Sequence, residues 1–140
     1  MTRKTHIAIG TLACIPFITS PLGLIGIIGS IAPDYDIKLG IRLHRTFSHS
    51  LMFLLFSSAI VSIVNKEIGF VWLISYTSHL FLDSLTVSGI PLFWGIRKKS
   101  YGLKLFHTGF IVDNLIFIIG LGLLFINIGN MIFNLFNIHL

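Results

Sequence analysis

The sequence predicts an all-α integral membrane protein with three full transmembrane helices and an N-terminal hairpin of two short helices. Three observations predict it. Apolar residues make up 54% of the 140 residues, only 11% are charged, and the mean hydropathy is +0.92. A soluble domain keeps a quarter to a third of its surface charged, roughly 25–35%. The apolar residues also gather into long blocks, as a bilayer requires, and the length suits one domain spanning residues 1–140.

Three blocks read as spanning helices: residues 47–64, 68–87 and 110–128. At ~1.5 Å per residue each reaches about 27–30 Å, the thickness of the hydrocarbon layer. Residues 131–140, with Asn134 and Asn137, extend the last helix or lie at the interface. The first block differs. Segments 7–19 and 22–32 are apolar but short, and Ser20-Pro21 stands between them. Either one kinked helix crosses once, or two short helices form a hairpin that returns to its own side.

Basic residues favour the hairpin, because Lys and Arg collect in cytoplasmic loops. The loops 34–46 and 90–108 share one side and hold Lys38, Arg42, Arg45, Arg97, Lys98, Lys99 and Lys104. Only Lys66 falls on the other side. A hairpin adds Arg3 and Lys4 to the larger group, a split of nine to one; a single crossing makes it seven to three. The expected protein is therefore a multi-pass membrane protein with a cytoplasmic N-terminus. No basic helix accompanies the formal charge of +5, so the expected partner is the lipid bilayer and no nucleic acid. The one cysteine, Cys14, excludes an internal disulfide. Pro16 interrupts the first apolar run, and Pro33 follows the small residues Ser30 and Ala32, so a retained N-terminus is expected rather than a cleaved signal.

Four of the five acidic residues are aspartates: Asp34, Asp36, Asp83 and Asp113. Asp83 and Asp113 fall inside expected spans, where a carboxylate costs ~2.5–3.5 kcal/mol and marks a protein interior and a partner. His79 and Asp83 stand four apart on one helix and share a face, so both could grip one metal ion. A buried His–Asp hydrogen bond would use the same spacing. Depth separates the two readings. Asp34, Asp36, His44, His49, Asp83, Asp113 and, in the hairpin, His6 all reach the basic side, while the other side receives Glu67 and His139. Imidazole and carboxylate without thiolate suit Zn, Mn or Fe in an open catalytic site.

Thr5-His6 with Gly10, Pro33-Asp34-Tyr35-Asp36, His44-Arg45-Thr46-Phe47-Ser48-His49-Ser50, and His79-Leu80-Phe81-Leu82-Asp83 with Thr86 and Gly89 follow one another in order. The ordered set resembles the YdjM-like membrane-bound metal-dependent hydrolases, from His6 to about Asp113. The segment Thr108-Gly109-Phe110-Ile111-Val112-Asp113 matches a late element of that family that usually ends in Glu. The resemblance implies a small helical inner-membrane protein with a hydrolase site.

The expected site follows from the residues. His49, His79 and Asp83, with His6 or Asp34, hold a divalent metal, Zn before Mn or Fe. The metal lowers the pKa of a bound water and polarises the substrate. Asp36 or Asp113 serves as general base and His44 as general acid. Arg42 and Arg45 meet an anionic substrate through their planar guanidinium groups. The reaction expected is hydrolysis of an ester or phosphoester at the cytoplasmic face, on a lipid-linked substrate. Two other classes use similar residues: a metal-ion or proton transporter, and a non-catalytic scaffold stabilised by metal. A transporter wants ligands reachable from both faces, and here they crowd one.

Overall fold

The computed structural model describes residues 1–40, 45–94, 96 and 99–137. Its helices are α1 (Arg3–Ala13), α2 (Leu22–Ile31), α3 (Leu51–Val64), α4 (Lys66–Ser84) and α5 (Ile111–Asn137). Turns of 3-10 helix occupy Ile15–Phe17, Ala32–Leu39 and Phe47–His49. Helix α4 lies at the centre, packed by α1, α2 and α3, and α5 packs along α1.

Local chemistry explains where the helices stop. Pro16 lies in the turn after α1, and Ser20 accepts a hydrogen bond from the Leu22 amide at 3.2 Å before α2. Asn65 reverses the chain between α3 and α4 in a single residue. Its side chain caps α4 by accepting from the amides of Glu67 at 2.8 Å and Ile68 at 3.0 Å. Ser50 caps α3 by accepting from Phe53 at 3.2 Å.

Small residues bring the central helices close together. A Cβ on Gly10 would collide with Ser30, and one on Gly26 would fall 2.8 Å from the Cys14 Cβ. The pairs 10 with 30 and 14 with 26 run in opposite senses, so α1 and α2 are antiparallel. The two short N-terminal helices therefore form a hairpin against α4. Gly29 likewise admits the Ser75 side chain of α4. Close backbone approach at glycine is the usual way for helices to associate where no hydrophobic effect drives them together.

The expectation of three full spans is corrected. Among the described residues only α5 is both long and apolar enough to cross a membrane. The block 47–64 loses its first four residues to the Phe47–His49 turn and the Ser50 cap, leaving the 14 residues of α3. That is about 21 Å of helix, short of the hydrocarbon layer. The block 68–87 becomes α4, 19 residues from Lys66, with Glu67, Ser75, Ser78, His79 and Asp83 along it. It is long enough but too polar. Block 110–128 instead lengthens to the 27 residues of α5.

The interior is unusually polar. Thr5, His6, Ser30, His49, Ser75, His79, Thr86 and Asp113 are fully buried, beside a small apolar cluster of Leu54, Tyr76, Leu80 and Ile90. The outside is apolar instead: Leu55, Phe56, Phe70 and Phe81 are exposed, and Ile63 reaches 84% exposure. Only 11% of the apolar window of α5 is buried inside the protein. A chain with polar groups inside and Phe, Ile and Leu outside is arranged for a lipid environment.

Candidate metal centre

Three elements deliver four side chains to the centre of the bundle. The 3-10 segment after α2 brings Asp34, the turn before α3 brings His49, and consecutive turns of α4 bring His79 and Asp83. All four residues are buried, and one ligand atom from each lies within 4.8 Å of the others. The Nε2 atoms of His49 and His79 are 3.3 Å apart. Asp83 Oδ2 lies 3.4 Å from His49 Nε2 and 3.6 Å from His79 Nε2. Asp34 Oδ1 lies 3.7 Å from the first and 3.6 Å from the second. A tetrahedral ion with bonds of ~2.0–2.2 Å separates its ligand atoms by about 3.3–3.6 Å. Five of the six separations are thus close to the edges of one tetrahedral shell, and the sixth, between the two aspartates, falls within 4.8 Å.

The donor set fits a divalent cation on charge as well. Two carboxylates and two neutral imidazoles sum to a charge of two negative, buried where unpaired carboxylates are costly. Outer partners orient the imidazoles. His79 Nδ1 lies 2.7 Å from the Ser30 carbonyl oxygen, which can only accept, so Nδ1 carries the proton and Nε2 is left as the donor atom. His49 Nδ1 lies 3.0 Å from Ser48 Oγ, which in turn donates to Asp36 Oδ2. Buried Tyr76 donates to the Ser48 carbonyl at 2.6 Å and holds that turn against α4. Burial is the largest influence and raises the Asp34 pKa, but the His49 hydrogen bond together with the nearby His79 and His6 rings outweighs it and holds the carboxyl below its usual value.

His6 stands beside this group rather than in it. Its ring stacks on His79 with centroids 3.6 Å apart, and its Nε2 is 3.2 Å from Asp83 Oδ1. Burial lowers its pKa from 6.5 to about 4, so the imidazole is neutral at pH 7. Asp83 consequently serves two neighbourhoods. Its Oδ2 faces His49 and His79, while Oδ1 meets His6, the N-terminal ammonium of Met1 and Arg45.

The other expected residues are distributed as follows. Asp36 lies behind His49, where it also accepts from the Arg45 amide at 3.2 Å. Arg45 adopts the left-handed region at φ 58°, and its guanidinium donates to Asp83 Oδ1 and Thr86 Oγ1, both at 3.3 Å. The guanidinium expected to meet substrate is thus joined to a ligand residue. Asp113 is not brought into the group. Its Oδ1 accepts from Thr5 Oγ1 at 2.6 Å, and its Oδ2 accepts from the amides of Thr2 at 3.0 Å and Gly109 at 2.7 Å. It ties α5 to α1. Arg42 and His44 lie outside the described residues. Sequence reasoning missed Ser48, though it adjoins His49 in the two-histidine block, and missed Ser30, whose backbone carbonyl leaves no mark in a sequence.

Comparison with known proteins places this arrangement. The family model described as YdjM inner membrane protein matches residues 1–139. The chain belongs to the YdjM inner membrane protein family. A relative in Bacillus subtilis (strain 168), described as uncharacterized protein YvsG, is 35% identical over 115 residues, 66% of this chain and 72% of the relative. No solved structure matches. Membership of this family agrees with the apolar exterior and with the long apolar helix α5.

Proposed function

We propose that the protein is a metal-dependent hydrolase that cleaves an ester or phosphoester, on a lipid-linked substrate, at the cytoplasmic face of the inner membrane. The observation that supports this most is the spacing of Asp34, His49, His79 and Asp83, four ligand atoms of mixed imidazole and carboxylate type. The set has imidazole and carboxylate but no thiolate, and a catalytic role would need a water as a fifth ligand beside these four residues; zinc is the metal proposed. A divalent ion held there supplies an acidified water and polarises the substrate oxygen. Asp36 acts through Ser48 to hold His49 in one tautomer and orientation. Arg45 holds Asp83 Oδ1 and keeps Oδ2 turned toward the two histidines. His44 is proposed to protonate the leaving group.

The cytoplasmic orientation rests on charge. Lys4 of α1 donates to Asn114 at the start of α5 at 2.8 Å, and Lys99 and Lys104 precede that helix in the chain. No Lys or Arg occurs after Lys104. The positive-inside rule then puts the start of α5, and the centre beside it, in the cytoplasm.

The test uses detergent-purified protein loaded with zinc and reconstituted in nanodiscs, offered a panel of lipid and soluble phosphoesters. Metal-dependent turnover of a lipid phosphoester that disappears in His79→Ala supports the reading. Turnover of soluble esters alone removes the lipid assignment, and no metal in purified, folded protein removes the hydrolase.

A further inference from the structure

We infer that Arg3 and Lys38 form a phosphate-binding subsite at the mouth of the metal centre, an inference that deepens the hydrolase reading and rests on it for its catalytic meaning. A cavity of about 100 Å³ opens beside the centre, lined by Arg3, Ile31, Asp34, Tyr35 and Lys38. Asp34 is the link. It is one of the four candidate ligands, and it also lines this cavity, so the cavity adjoins the metal group. The cavity volume is several times the ~10–15 Å³ that admits one water, room enough for a phosphoryl group.

The lining chemistry selects an anion. Arg3 begins α1 and Lys38 ends the 3-10 segment after α2, so two cations far apart in sequence converge on one small opening. Neither makes an ion pair among the described residues. Lys38 is held over the Tyr35 ring, its Nζ 4.7 Å from the centroid, which keeps the ammonium at the cavity wall. Asp34 is the one carboxylate in the lining. A divalent ion on the four ligands would offset its charge and that of Asp83, leaving the two cations uncompensated. Topology alone asks only that such residues lie on the cytoplasmic side; it does not ask them to line one cavity beside a metal ligand. Arg45, already bonded to Asp83, leaves this role open. The ligand class is a phosphate monoester or free phosphate, with its oxygens shared between the guanidinium and the ammonium.

The experiment titrates inorganic phosphate into the protein in nanodiscs by calorimetry, with bound metal measured on the same samples. Wild type should bind phosphate. Arg3→Gln and Lys38→Gln should each weaken binding about tenfold, the equivalent of one charge-assisted hydrogen bond, and the double variant about 100-fold. Metal content should stay unchanged, Lys38→Arg should restore binding, and Lys66→Gln should have no effect. Melting temperatures confirm that these exposed substitutions leave the fold intact. Phosphate binding absent in wild type, or within twofold of wild type in the double variant, overturns the subsite. Protein that binds phosphate through Arg3 and Lys38 while holding no metal keeps the subsite and removes the hydrolase. Metal-loaded protein that ignores phosphate does the reverse. Replacing phosphatidylglycerol by phosphatidic acid in the nanodiscs identifies the source: a lipid phosphate suppresses the titration, and a soluble phosphate leaves it unaltered.

Discussion

His79 donates its Nδ1 proton to the Ser30 carbonyl across 2.7 Å, and this one bond decides which ring nitrogen faces the metal group. The bond joins α4 to the end of α2, so the tautomer of a candidate ligand depends on how tightly α2 is packed. That packing depends in turn on Gly10 of α1, which has no Cβ to press on Ser30.

Gly10→Ala should therefore weaken metal binding without touching a ligand. The new methyl group displaces Ser30 and loosens the hydrogen bond that orients His79. Loss of an outer partner of this kind typically costs 10–100-fold in affinity, and about tenfold is expected here because the carbonyl is displaced rather than removed. Competition with a chromogenic chelator measures it. Unchanged affinity would show that the Ser30 contact does not set the ligand.

His79→Ala and Asp83→Asn should each lower zinc affinity by more than about 100-fold, beyond the range seen for outer partners. The two differ in stability. Asp83→Asn removes the charge facing Arg45 and the N-terminal ammonium, leaving a buried ammonium and a partly buried guanidinium without it. His79→Ala opens a void beside the stacked His6 ring. Elemental analysis of purified protein reports the metal, and melting in detergent reports the stability. Stoichiometric metal in either variant would place the ion elsewhere.

The sequence made the chemistry more legible than the helix lengths. The i, i+4 spacing of His79 and Asp83 puts both on one face of a helix whatever surrounds it. Apolar blocks likewise announce helices, but not where they begin. Ser50 and Asn65 cap through local hydrogen bonds that a hydropathy window does not see, so the expected spans at 47–64 and 68–87 came out short or too polar. Asp34 and Asp36 show the same limit in a loop. The sequence assigns Asp34 to the metal and Asp36 to a general base, two residues apart in a segment whose conformation it does not specify. The 3-10 turn sends Asp34 to the centre and Asp36 behind His49.

Acid should destabilise the metal-free protein in two stages. The folded His6 pKa of about 4 lies below the unfolded 6.5, so between these values the unfolded chain binds the proton first. Stability conferred by neutral His6 is thus complete above pH 6.5 and falls as pH drops toward 4, by up to about tenfold in the folding constant per unit. Asp34, whose pKa is lowered, contributes above its ordinary value of 3.8 and loses that contribution only at more acid pH. Denaturant melts from pH 7 to 4 check this. His6→Phe, which keeps the stacked ring without a titrating group, should flatten the upper stage.

The charge pattern around α5 makes a topological prediction. In a Cys14→Ala background, a cysteine at Asn137 should react with a membrane-impermeant reagent outside intact cells, and one at Thr2 should not. Labelling at Thr2 with none at Asn137 would invert the orientation and place the centre outside.

Asp113 permits a test between two roles for one carboxylate. As a general base it would act on the rate of turnover; as a clamp it acts on how α5 docks against α1. Its contacts favour the clamp. Thr5, Thr2 and Gly109 together direct several donors at its two oxygens, and the residue is fully buried. Hydrogen bonds to a charged acceptor contribute about 1.5–3 kcal/mol each, and their loss leaves the buried Thr5 hydroxyl and two partly buried amides without this partner. Asp113→Ala should therefore lower the melting temperature markedly, while turnover per bound metal ion stays within about threefold of wild type, a barrier change under 1 kcal/mol. Thr5→Val, which removes only the 2.6 Å donor, should reproduce part of the stability loss with no change in turnover. A fall in turnover per metal of 100-fold or more in Asp113→Ala, with Thr5→Val unaffected, would instead assign Asp113 to proton transfer.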